Sequence, residues 1–316
     1  MKILVFGKDG QLGKAFQNLL ETPLSLARDY NIQYVGRTEC DLNHSLDIEA
    51  ALNAFQPDLI INAAAYTAVD KAEQESNLAF SINATAPAVM ARYAANHGVT
   101  FLHYSTDYVF DGRGVDFYSE NQPVNPLGAY GKSKAAGELA IEEAFDHAAN
   151  FKARYAIFRA SWVYGMGGNF IRTILRLAKE REELRVINDQ FGVPTDATWL
   201  AKMSLTLCID EQGRLRDFPS GIYHAVPAGE TSWHGLAHWA TQVAIEAGVA
   251  MKASGKAISP IPATKYPLPA PRPMNSRMST LKLQKALKDL GLVSKFPEWD
   301  VLVRSYVTDL AKNKLI

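Results

Sequence analysis

Cysteine is scarce. Only Cys40 and Cys208 occur in 316 residues. Neither belongs to a CxxC pair or a secreted disulfide framework, so a disulfide-stapled fold is excluded and a reducing cytoplasm fits best. An excess of one charge is also missing. Lys plus Arg and Asp plus Glu stand at 33 each, so no net field draws the chain toward nucleic acid or an anionic membrane. No run of eighteen apolar residues occurs, and Met1-Lys2 leads straight into ILVFG, too short for a signal-peptide core. The chain is therefore expected to be soluble and unprocessed, with no membrane or nucleic-acid partner. No repeat of fixed period is visible. None of the seven histidines shows metal spacing; His234 and His238 lie four apart but lack a nearby third ligand, and read as exposed or helix-packing.

What is present is apolar and glycine-punctuated. At 47% hydrophobic the chain can bury a large core, enough for one large domain or two ordinary ones. Lys2 to Phe6 is an apolar run ended by Gly7, and KDGQLGKAFQNLL follows with Leu12, Phe16, Leu19 and Leu20 in helical spacing. Strand, glycine turn and helix is the natural parse. Gly7, Gly10 and Gly13 are spaced GxxGxxG rather than GxGxxG, but they stand where such a turn meets the first helix. Unpaired N–H groups and the helix dipole there favour a pyrophosphate; a glycine turn with no ligand is the alternative.

The run Ile32 to Val35 leads into Gly36 and Arg37. An acid near this point would bond the ribose hydroxyls of NADH, whereas a basic residue accommodates the extra phosphate of NADPH. Arg37 favours NADPH, with a surface loop arginine as the alternative. Asp41 precedes a helix carrying Ile48, Leu52 and Phe55, and is expected near an adenine. Asp58 to Asn62 reads as a buried strand; Ala63, Ala64 and Ala65 then allow a flat ligand, or a tightly packed helix, against the backbone. The helical region from about Glu75 to His97 should kink or restart at Pro87 and stop at Gly98. Thr100 to Ser105 is a fourth strand, delivering Thr106 and Asp107 to its carboxyl end, where ligands sit in open α/β sheets.

Tyr130 and Lys134 share one face at the start of a helix running to about Ala148. A lysine cation beside a phenol would favour its ionised form and bring it down from about 10 toward working pH, where a general acid is most useful. Taken alone, such a pair on an exposed helix is ornamental. Tyr155 to Ala160 is a further strand, and the five βα units argue for an α/β fold with a doubly wound parallel Rossmann-type sheet. Beyond residue 165 the pattern gives a helix over Asn169 to Lys179, a strand end at VINDQ, a helix over Thr198 to Cys208 and a last strand at Ile222 to Val226. The expected division is 1–165 plus 196–229 for the NAD(P)-binding domain and 166–195 plus 230–316 for a smaller α/β substrate domain. The stretch SPIPATKYPLPAPRPMN reads as an ordered loop over the substrate cleft.

GKDGQLG at 7–13, NAAAYTAVDKAE at 62–73, HYSTDYVFDG at 103–112, YGKSK at 130–134, FRASWVYG at 158–165, VINDQFGVPT at 186–195 and RPMNSRM at 272–278 together cover nearly the whole chain. In these strings it resembles the extended short-chain dehydrogenase/reductases and, within them, the dTDP-4-dehydrorhamnose reductases. The resemblance implies NAD(P)H-dependent reduction of the C4 keto group of a dTDP-4-keto-6-deoxyhexose, giving dTDP-L-rhamnose for polysaccharide. Tyr130 would protonate the C4 oxygen. Lys134 would bond the nicotinamide ribose and lower the phenol's pKa, and Thr106 would hydrogen-bond the carbonyl. The expected cofactor set is Gly7, Gly10, Gln11, Leu12, Gly13, Arg37, Asp41, Leu42, Ala63, Ala64, Ala65, Tyr66, Thr67 and Tyr104, with Tyr130 and Lys134. Thr106, Asp107, Trp162, Asn169, Arg272 and Asn275 are expected at the substrate, Trp162 offering a flat face unless it is a core tryptophan, and Arg272 a bidentate partner for a diphosphate.

Certain family members bind Mg²⁺ at a dimer contact through acids, one of them early in the first helix. Here Ala15 and Phe16 stand in that region, and Glu298 and Asp300 do not complete a ligand set. No required metal is expected, and a homodimer is left open. Two other readings stay open: a sugar-nucleotide epimerase or dehydratase, and a non-catalytic regulatory subunit of methionine adenosyltransferase, to which the family has relatives.

Overall fold

The computed structural model describes residues 1–21, 30–147, 150, 152–292 and 295–316. Six short runs rich in branched and aromatic residues form one sheet: β1 (Lys2–Phe6), β2 (Asn31–Val35), β3 (Leu59–Asn62), β4 (Thr100–Thr106), β5 (Arg154–Ala160) and β6 (Gly221–His224). Their order is β2-β1-β3-β4-β5-β6 and every pairing is parallel. The chain reverses direction across the sheet between β1 and β3, so the carboxyl ends of these two strands open a crevice.

Both faces of the sheet are covered, as continuous apolar strands require. Successive residues of a strand point to opposite faces. Leu4, Phe6, Ile60, Phe101 and Ile157 pack against α2 (Ser45–Phe55), α3 (Ala86–His97) and α4 (Ala129–Asp146). Ile3, Val5, Ile61, Leu102 and Phe158 face α1 (Gln11–Glu21) and α6 (Ala197–Cys208), a helix that follows α5 (Phe170–Glu180) in the chain. A second body of helices, α5, α7 (Trp233–Glu246) and α9 (Trp299–Lys312), packs on Tyr164, Ile171, Leu175, Leu236, Val243, Val303 and Val307. The proline-bearing segment is ordered along it: Ile258–Ile261 pairs in parallel with Leu184–Ile187.

Three details bear on the sequence reading. The helical stretch before α3 is broken by a π-turn at Ser81–Thr85, and α3 restarts with Pro87 in its first turn, where its missing N–H costs nothing. α8 (Leu281–Asp289), assigned by sequence to the substrate side, sends Leu283, Ala286 and Leu287, with Phe296, into the core beneath the sheet. Its apolar face is amphipathic in the ordinary way, and which body it covers is a tertiary choice. The helix α4, which carries Tyr130 and Lys134, ends at Asp146; Ala148 lies outside the described residues.

Candidate active site

The crevice between β1 and β3 holds a cleft of about 720 Å³, lined by Gly7, Gly10, Gln11, Leu12, Arg37, Asp41, Leu42, Ala63, Ala64, Ala65 and Thr67 among others. Glycines and alanines make part of the walls, joined by longer side chains such as Gln11, Leu12, Arg37 and Leu42. Gly7 sits at φ 86°, and a Cβ at Gly13 would collide with the Gly7 carbonyl, so the turn closes tightly only with both glycines. The N-terminus of α1 points into this space. At the end of β2, Glu39 is held by Lys8 (2.5 Å) and the Gly36 N–H (2.8 Å), while Arg37 lines the cleft. The size, the glycine turn and the basic residue fit a dinucleotide with a 2′-phosphate. Tyr66 does not line the cleft: its hydroxyl donates to Glu75 at 2.5 Å and its body packs by Tyr130. Tyr104 is likewise corrected. It shares a strand face with Thr106, but two residues upstream its ring is still under the core, against Phe16 (6.0 Å) and Phe158 (5.7 Å); only its carbonyl, which accepts from Lys134, reaches the site.

The three catalytic candidates are buried and line neither this cleft nor a second groove nearby. Thr106 ends β4, its hydroxyl donating to Asp107 Oδ1 at 3.0 Å and accepting from the Tyr108 N–H at 3.2 Å. Tyr130 enters from the first turn of α4; burial pushes its phenol up to about 12, against a lowering hydrogen bond with Thr106. The downward pull expected from Lys134 is not in place. Lys134 is instead turned to His103 Nε2 (3.2 Å) and the Tyr104 carbonyl (2.5 Å), and burial lowers its own pKa to about 8. Asp107 is 2% exposed, and its Oδ2 accepts from the Ser276 hydroxyl at 2.5 Å; burial raises its carboxyl to about 6.

The second groove, about 340 Å³, is lined by Tyr108, Trp162, Gln190, Trp233, Tyr266 and Arg272, with Ser276 at its floor. Trp162 adopts φ 49°, a left-handed backbone that bulky residues rarely accept, and stacks on Trp233 at 3.7 Å between centroids. Arg272 reaches the groove paired with Asp70 at 2.9 Å. Of the six substrate candidates Trp162 and Arg272 line it, and Thr106, Asp107, Asn169 and Asn275 do not. Asn169 caps α5, accepting from the Arg172 N–H (3.1 Å) and donating to the Gly165 carbonyl (3.0 Å) and the Tyr306 hydroxyl (2.9 Å). Asn275, 1% exposed, donates to the Asp116 carbonyl (2.8 Å) and accepts from the Arg277 N–H (3.2 Å). Their amides are spent on the backbone.

Sequence reasoning missed Asn83. From the π-turn it accepts the Tyr66 N–H (2.9 Å) and donates to the Tyr66 carbonyl (3.0 Å) and the Ser133 hydroxyl (3.0 Å), tying the segment after β3 to the catalytic helix. At its back, Gly137 lets α4 approach the Asn83 carbonyl, which a Cβ would strike. A π-turn inside a helical pattern carries no period that a sequence shows, although such turns gather at functional sites. His234 bonds the Ile258 carbonyl at 2.9 Å. Among the described residues no three His, Cys, Asp or Glu side chains gather as metal ligands would, and no helix is long and apolar enough to cross a membrane.

Residues 1–311 match the family model described as the RmlD substrate binding domain. A dTDP-4-dehydrorhamnose reductase of Shigella flexneri is 42% identical over 314 residues, covering 98% of each chain. Among solved structures, a dTDP-4-dehydrorhamnose reductase from Clostridium acetobutylicum superposes with a TM-score of 0.84 at 31% identity, covering 99% of this chain and 100% of that one. Another, from Bacillus anthracis in complex with NADP, gives a TM-score of 0.82 at 30% identity, over 98% and 99%. With its doubly wound sheet, its glycine-walled cleft and a likeness that runs end to end, this chain belongs to the dTDP-4-dehydrorhamnose reductase family of oxidoreductases.

Proposed function

We propose that this protein reduces the C4 carbonyl of dTDP-4-dehydro-L-rhamnose with NADPH, yielding dTDP-L-rhamnose for polysaccharide synthesis. The observation that carries the reading is the contact of Tyr130 with Thr106, next to Tyr108 and, through Asp107, Ser276 of the aromatic groove, in a chain that also has a dinucleotide-sized cleft. A reduced nicotinamide supplies the hydride. Gly7, Gly10 and Gly13, with the α1 N-terminus, would hold its pyrophosphate, Arg37 its 2′-phosphate and Ala63 to Ala65 its flat parts. The phenol of Tyr130, held protonated by burial, gives its proton to the C4 oxygen as alkoxide charge develops there. Thr106 orients that oxygen. Its single hydrogen points to Asp107, so engaging a substrate carbonyl requires this hydroxyl to turn, with Asp107 and Ser276 holding each other meanwhile. Lys134, one turn beyond Tyr130, serves the ribose.

Trp162 and Trp233 offer a face for a flat ring, and Arg272 a guanidinium for the diphosphate once it leaves Asp70. We read residues 1–165 plus 196–229 as the dinucleotide half and 166–195 plus 230–316 as the substrate half, with α8 reaching back under the sheet. Cys40 and Cys208 are free and buried, which suits a cytoplasmic setting. The test follows nicotinamide absorbance with dTDP-4-keto-6-deoxy-L-hexose generated in situ, with NADPH and NADH in parallel. Oxidation is expected with the unaltered chain, and Tyr130→Phe should lower kcat by about 10²- to 10⁴-fold with cofactor binding kept. Bound cofactor without oxidation would overturn the reading.

A further inference from the structure

The catalytic helix buries its lysine against a ring whose hydrogen bonds can be counted. His103 Nε2 lies 3.2 Å from Lys134 Nζ, and His103 Nδ1 lies 3.1 Å from Asn62 Nδ2. Asn62, His103 and Lys134 are exposed by 1% or less, so no bulk water completes the set. The far end of Asn62 fixes its orientation: Oδ1 accepts the Ala64 N–H at 3.2 Å, and turning the amide over would set its NH₂ against that N–H. His103 Nδ1 is therefore an acceptor. Burial alone holds the ring below the ordinary histidine range, so it is neutral and carries one hydrogen. That hydrogen sits on Nε2, facing Lys134. An ammonium has three donors and no acceptor; opposite an N–H it would set donor against donor in a low-dielectric site. A neutral amine, by contrast, accepts from Nε2–H while donating to the Tyr104 carbonyl, the second contact its nitrogen makes.

We propose that His103 favours the neutral amine of Lys134 over its ammonium, and that the neutral fraction takes up a proton from solvent when Lys134 leaves this contact for a dinucleotide in the adjoining cleft. This rests on the dinucleotide reading of that cleft. The imidazole keeps its own proton throughout; the new one binds the lysine nitrogen and comes from bulk buffer. Glu138, one turn on along α4, favours the ammonium, but Arg159 of β5 forks that carboxylate at 2.9 and 2.7 Å and draws off its field. The Tyr130 phenol, one turn back on the same face, stays protonated. Burial outweighs Glu138 and leaves Lys134 at about 8, within reach of ordinary pH. His103 is thus a positioning residue, acting on the reaction through the charge of Lys134.

Two measurements test this. In a chain carrying ¹⁵N-histidine, nitrogen NMR should show one ring as the Nε2–H tautomer with bare Nδ1, assigned to His103 by its loss in His103→Gln. An Nδ1–H ring, or one protonated on both nitrogens, overturns the proposal. Calorimetric titration with NADP⁺ at pH 8, in buffers of different ionisation enthalpy, should show uptake of roughly half a proton, as a group titrating at about 8 requires. No uptake, or uptake that survives in Lys134→Met, also overturns it. Failure of NADP⁺ to bind would count against the dinucleotide reading instead, and the tautomer, measured without ligand, would still decide this one.

Discussion

The two openings of the site are built by opposite means. The cleft between β1 and β3 is made largely by contiguous pieces of chain: a glycine turn and helix start after β1 and an alanine run after β3. The groove beside it is made by side chains gathered from Tyr108, Trp162, Gln190, Trp233, Tyr266 and Arg272, spread over more than half of the chain. At Gly7 and Gly13 the first kind of site leaves no room for an added Cβ. The second depends on long side chains being held by neighbours that the sequence does not mark.

Adding one methyl to the first site is the harshest test of that contrast. In Gly13→Ala the new Cβ meets the Gly7 carbonyl, so the turn must open. Overpacking of this kind costs about 3 kcal/mol at the upper end of its usual range, and NADP⁺ affinity should fall roughly a hundredfold or more. Binding at wild-type strength would show that the turn does not cradle the ligand.

The same contrast explains how much was legible beforehand. Strand, turn and helix at 2–21, the strand ends carrying Thr106 and the shared helix face of Tyr130 and Lys134 follow from local period and glycine placement, and the structure has all of them. Asn169 and Asn275 stand inside site-like strings, yet their amides serve a helix cap and a loop backbone. Residue type indicates that a polar group is present, but where it points depends on a rotamer and a partner far along the chain. The same holds for Lys134, whose buried partner His103 belongs to a strand from which the sequence reading drew Tyr104, Thr106 and Asp107 but not His103.

Behind Ser276 of the groove lies a buried carboxyl, Asp107. The Asp107 carboxyl goes from its ordinary 3.8 to about 6 because burial disfavours the anion. A raised carboxyl binds its proton more tightly folded than unfolded, so its contribution to stability is full below 3.8 and lost as pH rises through about 6. Relative to Asp107→Asn, the unaltered chain should lose up to about 3 kcal/mol of unfolding free energy between pH 4 and pH 7. Denaturant titrations across that range check it; parallel curves for the two chains would mean that the carboxylate is better solvated than its burial indicates. In the groove itself, Trp162→Ala removes a stacked face worth about 2 kcal/mol in burial and ring contact. KM for the sugar nucleotide should rise roughly thirtyfold, while NADP⁺ binding should be unchanged. A parallel loss of cofactor affinity would erase the distinction between the two sites.

The smallest effect comes from the one long side chain on which the cleft reading leans. Arg37 is exposed and lines the cleft beyond β2, and the nearby acid Glu39 is occupied by Lys8 and the Gly36 N–H. A free guanidinium there can meet a 2′-phosphate, but water and salt screen it, so its worth is about 1 kcal/mol rather than that of a buried pair. Arg37→Ala should weaken NADPH about fivefold at low salt, with NADH unaffected, and the gap should narrow as salt is added. Equal losses for both cofactors would mean that Arg37 supports the turn rather than the phosphate, and the preference for NADPH would then have to come from elsewhere in that cleft.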